Sequence, residues 1–342
     1  MRTKTPVKMS DIAAKLGVSI VTVSKALNDK EDGVSRTLKE QIKKTANEMG
    51  YKKAGAAQGG THNNIGVIIS ERFLEDNSFY WQIYQNLQAK LVENGYFGIL
   101  EICRSDDEKK RSVPRIISDQ KVDVIIIIGQ LSKPYLEMLT KAGVDVIFVD
   151  FYDLDFNVDT IIADNFNCSY QITKYLIDRG HRDIVFIGNI FATSSIMDRA
   201  MGYYKCMLEN NCPIRAEWYI PDRDNEGNLG IELPTTLPTA FVCNSDKIAT
   251  LLNAKLTEHG YTVPQDVSVV GFDNYHSGNF DRDTFTTIDI GRAKIADAVV
   301  DLLKRKYILK ATVNEQILLK GSLIEKSPSD PFNKSSMIRL IG

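Results

Sequence analysis

The chain has 342 residues, of which 43% are hydrophobic and 25% charged, and its net charge is −2. A chain of this length buries a full core and divides into two or three domains. The longest apolar run, residues 124–128, is only as long as a strand, and no apolar stretch follows the first residues. These features exclude a secreted or membrane-spanning protein and predict a soluble, cytoplasmic one without a membrane partner.

The cysteines and histidines predict neither a metal site nor a cofactor. Five cysteines are scattered along the chain, at positions 103, 168, 206, 212 and 243. Their spacing fits neither metal ligands nor a disulfide framework and is typical of reduced thiols in a cytoplasm. We expect His181 to cap a helix-to-strand turn, because the other histidines have no ligand-like spacing to it.

Charge is unevenly distributed along the chain. Residues 1–60 contain twelve Lys or Arg against six Asp or Glu, which leaves a net charge of −8 on the remaining residues. A basic segment joined to an acidic body favours a polyanionic partner for the basic part. The alternative is a charged surface that is simply solvated.

Residues 9–49 carry apolar side chains at helical spacing in three groups. The groups are Ile12, Ala13 and Leu16, then Val23, Ala26 and Leu27, then Leu38, Ile42, Ala46 and Met49. Between the first two groups, Gly17 suits the positive φ of a tight turn and Ser19 suits the N-cap of the next helix. The segment predicts a helix-turn-helix whose third helix closes a small core.

Residues 54–64 are rich in small and polar residues and predict a linker. From residue 65 onward, strand-like runs alternate with amphipathic helical runs. The first series is 65–70, 79–94, 97–102, 108–118, 122–128, 134–142 and 146–150, and the second is 168–179, 184–187, 199–209, 240–242, 247–259 and 267–270. Such alternation is typical of parallel sheets, so we expect two doubly wound lobes in tandem.

The stretch MSDIAAKLGVSIVTVSKALN at residues 9–28 resembles the lactose-repressor/galactose-repressor (LacI/GalR) family of transcription factors. Further matches at 50–51, 65–69, 178–184 and 269–274 extend the resemblance to roughly residues 8–325. It implies a small all-α helix-turn-helix DNA-binding domain plus an α/β periplasmic-binding-protein-like sensor of two doubly wound lobes, with an effector in the cleft between them.

The resemblance also implies domain boundaries, with chain crossovers near residues 163, 291 and 322. We expect a helix-turn-helix domain at 1–53, a hinge at 54–64, and an effector-binding and dimerisation domain at 65–325. Within this domain, lobe 1 comprises about 65–163 and 291–321, and lobe 2 about 164–290 and 322–330. A C-terminal tail follows at 326–342.

In helix-turn-helix proteins the second helix lies in the major groove. By resemblance, Ile20, Val21 and Lys25 fall on base-reading positions, while Ser19, Thr22, Ser24 and Asn28 suit contacts to the DNA backbone. Two β-branched residues offer apolar contact to thymine methyls, and a lysine donates to guanine. The alternative is that these are exposed helix residues without a role, although exposing both Ile20 and Val21 has no evident packing reason.

The linker departs from the family pattern. The family folds this segment into a hinge helix on the operator, from which a leucine enters the minor groove. Here Lys53 replaces the usual proline, and Gln58 and Gly60 stand where the family's arginine and leucine would fall. Glycine disfavours a helix, so the sequence does not predict the hinge helix or its wedge.

The resemblance also suggests effector contacts. Arg199 and Asp273 match the family's strongest contacts, Ser245 and Asp246 match its asparagine-aspartate site, and Phe79, Tyr80 and Asp150 match cleft-lining positions. Guanidinium and carboxylate groups suit hydroxyl recognition, and aromatic faces suit sugar rings. The alternatives are that the aromatics are core residues and that Arg199 only pairs with an aspartate.

Two further features bear on the sensor. Trp218, near a strand end, is a weaker stacking candidate. A helix of the relatives begins at residues 230–232, but Pro234 and Pro238 are expected to truncate it here.

Together these features predict an effector-responsive transcriptional regulator, a repressor of carbohydrate genes, that binds a pseudo-palindromic double-stranded operator as a homodimer and takes a sugar or sugar derivative. A transport-linked sugar-binding protein without a DNA role is the alternative. No nucleophile elbow, phosphate-binding glycine loop or metalloprotease motif indicates an enzyme.

Overall fold

The structure is a computed structural model, and it describes residues 7–27, 34–49, 51, 64–74, 79–224, 227–275 and 285–326. The chain forms two compact units. Unit 1 comprises residues 1–161 and 293–317, and unit 2 comprises residues 162–292 and 318–342. The sequence predicted chain crossovers near residues 163, 291 and 322, and the boundaries between the two units lie at 161/162, 292/293 and 317/318. The segment that we expected to form a separate N-terminal domain lies within unit 1.

The head, residues 7–51, is a three-helix unit with its own core. Its helices are α1 (Met9–Leu16), α2 (Ile20–Leu27) and α3 (Arg36–Met49). Their buried apolar side chains are Met9, Ile12, Ala13, Val23, Ala26, Ile42 and Ala46. Gly17 ends α1 with φ +67°, and the Ser19 Oγ accepts from the Thr22 N–H at 3.0 Å. The predicted turn and N-cap are therefore confirmed.

Unit 1 contains a six-stranded sheet with strand order β11-β5-β4-β3-β1-β2. Its strands are β1 (Asn64–Ser70), β2 (Phe97–Cys103), β3 (Val124–Ile128), β4 (Asp145–Val149), β5 (Asp159–Ala163) and β11 (Gln316–Leu319). Its helices are α4 (Phe79–Glu93), α5 (Ser105–Lys110), α6 (Arg115–Ser118), α7 (Lys133–Thr140) and α11 (Arg292–Tyr307). Every side chain of β3 is buried, as expected for a central parallel strand covered on both faces.

Unit 2 contains a four-stranded parallel sheet with strand order β7-β6-β8-β9. Its strands are β6 (Ile184–Ile187), β7 (Tyr219–Ile220), β8 (Ala240–Cys243) and β9 (Ser268–Val270), and β10 (Thr287–Asp289) pairs antiparallel with β12 (Ser322–Ile324). Its helices are α8 (Asn165–Asp178), α9 (Ser194–Glu209) and α10 (Asp246–Glu258). Gly202 permits close packing of α8 on α9, since a Cβ there would lie 2.0 Å from the Phe166 carbonyl oxygen.

Two predicted helices differ in the structure. The single helix expected at 108–118 is wrong, because Pro114 separates α5 from α6. Helix α9 begins at Ser194 rather than at residue 199, because the Thr193 hydroxyl caps it by accepting from the Ile196 N–H at 3.1 Å. The described residues between β7 and β8 contain no helix, in keeping with the truncation expected from Pro234 and Pro238.

Along the described ranges, the structure has no helix that combines the length and the apolar character needed to span a bilayer.

Candidate functional site

Helix α2 holds the side chains expected to contact DNA. Ser19 is exposed at its start, with its Oγ 2.8 Å from the Thr22 Oγ1, while Val21 and Lys25 are half-buried. Ile20 is also half-buried and packs against the core of the head. The expectation that Ile20 has no packing role is therefore wrong, because it also closes the small core.

Ser24 contacts the sheet-bearing part of unit 1 rather than solvent. It is 2% exposed, and its hydroxyl donates to the Ala142 carbonyl at 2.6 Å. A hydroxyl in this position does not contact a phosphate, so the expected contact requires another arrangement of the head. Asn28 and the hinge residues Lys53, Gln58 and Gly60 lie outside the described residues.

The polar side chains of unit 2 gather at the carboxyl end of its parallel sheet. Arg199 lies on α9 after β6, Asn244 follows β8 and Asp273 follows β9. The carboxyl ends of parallel strands share one edge of a sheet, which is where α/β proteins bind ligands. The sequence predicted Arg199 as the first residue of its helix, whereas the structure places it inside α9.

Each nitrogen of the Arg199 guanidinium has a partner within unit 2. Nε donates to the Asn165 Oδ1 at 2.8 Å, NH1 donates to the Asn244 carbonyl at 2.5 Å, and NH2 lies 3.1 Å from the Asp273 Oδ1. The guanidinium also lies over the Phe272 ring, 3.9 Å from its centroid. A guanidinium has five N–H donors, so this fixed group retains donors for a ligand.

Asp273 is buried beside two arginines. Burial raises the pKa of its carboxyl group, and the charges of Arg199 and Arg292 oppose that rise. Its backbone φ is +92° and that of Asn274 is +46°, a left-handed conformation that non-glycine residues rarely adopt. Such strain at consecutive residues is typical of a binding site.

Arg292 and Lys326 hold this strained loop. The Arg292 NH1 donates to the Asp273 carbonyl at 2.8 Å, and NH2 donates to the Asn274 carbonyl at 3.2 Å. The Lys326 Nζ donates to the Asn274 Oδ1 at 2.8 Å. These contacts hold the backbone of the loop that carries the Asp273 carboxylate.

Ser245 and Asp246 support the site from the start of α10. The Ser245 Oγ accepts from the Ile248 N–H at 3.4 Å and so caps the helix. The two Asp246 oxygens accept from the Thr287 hydroxyl at 2.8 Å and from the Tyr275 N–H at 2.9 Å. Burial raises the pKa of Asp246 to about 7, and the nearby Asp273 charge contributes. Asp246 therefore braces the loop that carries Asp273.

A third buried carboxylate, that of Asp222, lies beside Asn244. The Asp222 oxygens accept from the Asn189 N–H at 2.7 Å and from the Asn244 Nδ2 at 3.0 Å, and Arg223 pairs with them at 2.6 Å. Although burial raises the pKa of Asp222, the contacts with Arg223, Asn189 and Asn244 outweigh it, and the pKa is lowered. Asp222 thus holds the side chain of the asparagine whose backbone carbonyl accepts from Arg199.

In unit 1, the expected aromatic residues lie at the start of α4. Phe79 and Tyr80 are half-buried, and the Tyr80 ring lies 4.7 Å from that of Phe73. A Cβ on Gly129, which follows β3, would lie 3.2 Å from the Tyr80 ring, so the tyrosine covers the carboxyl end of this strand. Asp150 ends β4 with φ +67° and is 3% exposed.

Trp218 is not placed for ligand stacking. It precedes β7 and so lies at the amino end of the sheet, opposite to Asp222 and Asn244, which follow their strands. Its ring packs 4.9 Å from that of Tyr204. This stacking prediction is wrong, because the residue lies at the other end of a short strand.

The five cysteines and His181 are buried. In the part of the chain that the structure describes, no group of three His, Cys, Asp or Glu side chains is placed to hold a metal ion. All five cysteines are buried, and burial raises the pKa of Cys103 to about 11. The His181 Nδ1 lies 3.0 Å from the Thr239 Oγ1, and burial lowers the pKa of this ring to about 4.

Known proteins match both parts of the chain. Residues 8–53 match the family model for bacterial regulatory proteins, lacI family, and residues 173–327 match the model for a periplasmic binding protein-like domain. The chain thus carries a LacI-family helix-turn-helix domain followed by a periplasmic-binding-protein-like domain. It is an effector-responsive, DNA-binding transcriptional regulator.

The relatives of this chain include repressors of similar length. It is 27% identical over 314 residues to the HTH-type transcriptional repressor PurR of Actinobacillus pleuropneumoniae serotype 3 (strain JL03), which covers 89% of this chain and 92% of that protein. It is 28% identical over 304 residues to the PurR of Glaesserella parasuis serovar 5 (strain SH0165), at 86% and 88% coverage. These relatives favour a regulator over a transport protein.

Solved structures share the fold. A complex of the transcriptional regulator CelR with cellobiose has a TM-score of 0.65 at 21% identity and covers 94% of this chain and 100% of that one. The lac repressor dimer bound to operator and the anti-inducer ONPF has a TM-score of 0.66 at 23% identity, with 95% and 100% coverage. At such identities the likeness supports the fold alone, a helix-turn-helix joined to an α/β sensor.

Several site residues of this chain were absent from the sequence-based candidates. Asn165, Asn244 and Arg292 all bind the Arg199–Asp273 pair or its loop. Asn244 carries a signal that sequence inspection can find, because it directly follows a predicted strand of the parallel sheet. Asn165 and Arg292 lie far from Arg199 and Asp273 in sequence and carry no such signal.

Proposed function

We propose that this LacI-family chain is a repressor that binds a pseudo-palindromic operator as a homodimer and responds to a small polyhydroxylated effector. The observation that supports the effector class most strongly is the buried Arg199 guanidinium, held by Asn165, Asn244 and Asp273 at the carboxyl end of the unit 2 sheet. A regulator that binds DNA acts in the cytoplasm.

Arg199 and Asp273 contact the effector in this proposal. The arginine donates to one hydroxyl and the aspartate accepts from its neighbour, which is the pairing that a vicinal diol offers. Ser245 lies beside them, and Asp246 acts by bracing the loop. In unit 1, Phe79, Tyr80 and Asp150 provide an aromatic surface and a carboxylate, which suit the apolar face and the hydroxyls of a sugar ring.

Calorimetric titration and thermal shift with D-ribose, cellobiose and other mono- and disaccharides test this proposal. Structural relatives bind ribose and cellobiose, which makes both suitable first probes. Because charge-assisted hydrogen bonds contribute about 1.5 to 3 kcal/mol each, Asp273→Asn is expected to weaken binding of the active sugar roughly ten- to hundred-fold. Glu258→Gln, on the exposed end of α10, serves as the control. Equal affinity in Asp273→Asn and wild type would remove Asp273 from the site.

The proposed DNA contacts are made by α2. Val21 and Ile20 face thymine methyls, Lys25 donates to guanine, and Ser19, Thr22, Ser24 and Asn28 position the DNA backbone. One helix-turn-helix covers a half-site, so a homodimer matches a two-fold operator. Light scattering is expected to give the mass of two chains, and a mass of four chains would contradict this part.

This proposal gives the chain no catalytic role. A transport protein is the rival for unit 2, and an enzyme is the second rival. An electrophoretic mobility shift with the chain's own promoter region distinguishes them, because only a regulator retards specific DNA and changes its affinity with the active sugar.

A further inference from the structure

Within unit 1, the head contacts the part that carries the six-stranded sheet through its DNA-binding helix. Ser24, on α2, donates its hydroxyl proton to the Ala142 carbonyl at 2.6 Å, and both residues are 2% exposed. A second contact joins the Lys8 Nζ to the Asp119 Oδ1 at 3.4 Å. Two separate side chains of the head are thus engaged by the same unit.

Both acceptors lie at one end of the unit 1 sheet. Asp119 precedes β3, and Ala142 precedes β4. These strands are parallel neighbours, so their amino ends lie side by side. We call Asp119 and Ala142 the head-docking surface.

The head-docking surface presents a hydrogen-bond acceptor and a negative charge to the head, as the DNA backbone would. A phosphate accepts hydrogen bonds from hydroxyl groups and pairs with lysine ammonium groups. Here a carbonyl oxygen accepts from Ser24 and a carboxylate pairs with Lys8. A residue whose hydroxyl lies 2.6 Å from Ala142 has no room for a DNA strand, so the two partners exclude each other.

We propose that the head-docking surface is an intramolecular binding site for the recognition helix, which competes with DNA and lowers the affinity of the free protein for it. The inference rests on DNA binding by α2 and does not depend on the identity of the effector. The apparent DNA affinity equals the intrinsic affinity multiplied by the fraction of heads that are undocked. Weakening the surface is therefore expected to tighten DNA binding without changing any DNA contact.

Zero-length carbodiimide crosslinking of the full chain tests the contact directly. We expect a Lys8–Asp119 crosslink in the DNA-free protein, identified by mass spectrometry, and its loss when operator is saturating. Mixing ¹⁵N-labelled and unlabelled chains shows whether the link forms within one chain. A DNA-free protein that yields no such link, or only links between chains, overturns the proposal.

Asp119→Lys tests the effect on DNA binding, with an operator that the wild-type chain selects from a random duplex library. Its matched control is Asp106→Lys, which makes the same charge change at a residue that is 77% exposed in the same unit and pairs only with Lys110 in the described structure. We expect Asp119→Lys to tighten binding to operator and to a random duplex by about three- to ten-fold beyond the control.

Two further variants test whether the loss of the Lys8–Asp119 ion pair causes the change in DNA affinity. Asp119→Asn removes the charge without adding one, and it covers the case in which the lysine variant unfolds. Adding Lys8→Asp to Asp119→Lys restores an ion pair of reversed sign. The double variant is therefore expected to bind DNA more weakly than the Lys8→Asp variant alone, in which two carboxylates face each other and favour the undocked head. Equal affinities for the Asp119 and Asp106 variants would show that only long-range charge is at work and would overturn the proposal. If the wild-type chain selects no duplex from the library although the Lys8–Asp119 crosslink forms, the result would instead count against α2 as the DNA reader.

Discussion

The guanidinium of Arg199 and the carboxylate of Asp273 approach to 3.1 Å with side chains only 6% and 9% exposed. Arg199 lies on α9 and Asp273 in the loop after β9. The pair therefore links two residues that are 74 positions apart in sequence. A buried pair of this kind is costly to break, because the remaining charge keeps its desolvation penalty.

Arg199→Met is therefore expected to lower the free energy of unfolding by about 3 to 5 kcal/mol, as removal of one partner from a buried pair does. Combining it with Asp273→Asn is expected to cost less than the sum of the single variants. Urea denaturation measures all three. Arg36→Met is the control, since its pair with Glu40 is 95% and 72% exposed and is expected to contribute under about 1 kcal/mol. Additive costs for Arg199 and Asp273 would show that the pair is not coupled.

Gly271→Ala is expected to destabilise the chain by about 1 to 3 kcal/mol, in the range of an overpacked core. A Cβ at this position would lie 1.8 Å from the Asp246 Oδ1, which would force that carboxylate away from Thr287. Gly230→Ala is the control, because no atom lies within 4 Å of its added Cβ. The cost of Gly271→Ala should shrink in an Asp246→Ala background, and an undiminished cost would place the clash elsewhere.

His181 is expected to make the fold less stable as the pH falls. Burial lowers its pKa to about 4 from 6.5, so between these values the unfolded chain binds a proton that the folded chain does not. The contribution of His181 to the free energy of unfolding is complete above pH 6.5. It falls by about 3 kcal/mol by pH 4, because each pKa unit corresponds to about 1.36 kcal/mol. His181→Gln should flatten that part of the pH profile in thermal denaturation, whereas His259→Gln, on an exposed residue, should not.

Arg292→Ala is expected to weaken binding of the active sugar without removing any direct contact to it. Without its bonds to the Asp273 and Asn274 carbonyls, the left-handed loop relaxes and the carboxylate turns away. Hydrogen exchange of the Tyr275 amide, which donates to Asp246, should accelerate in parallel. Lys294→Ala, two residues further along α11, is the control. Weaker binding with unchanged exchange would assign Arg292 a direct role in place of a positioning one.

Lys25→Ala is expected to weaken operator binding by about 1 to 3 kcal/mol and to relax the preference at one base pair of each half-site. Binding to a random duplex should change far less. Fluorescence anisotropy on the selected operator and on a random duplex measures both. Equal losses on the two duplexes would make Lys25 a phosphate contact only.

The sequence alone determined the elements that depend on local order. Helical spacing in residues 9–49 and the Gly17 turn predicted the head, because a turn and a cap are set by a few adjacent residues. The alternation of strands and helices predicted the parallel sheets, because this pattern is also read from neighbouring segments of the chain. Arg199 and Asp273 were predicted because they match effector contacts of the family that the sequence resembles.

Only the tertiary structure decided what these residues touch. That Arg199 is held by Asn165 and Asn244, and that Arg292 holds the Asp273 loop, depends on chain segments brought together by the sheet and its crossovers. The contact of Ser24 with Ala142 joins residues 118 positions apart. No local propensity encodes such pairs, because their energy arises from burial and hydrogen bonding that exist only once the core has formed.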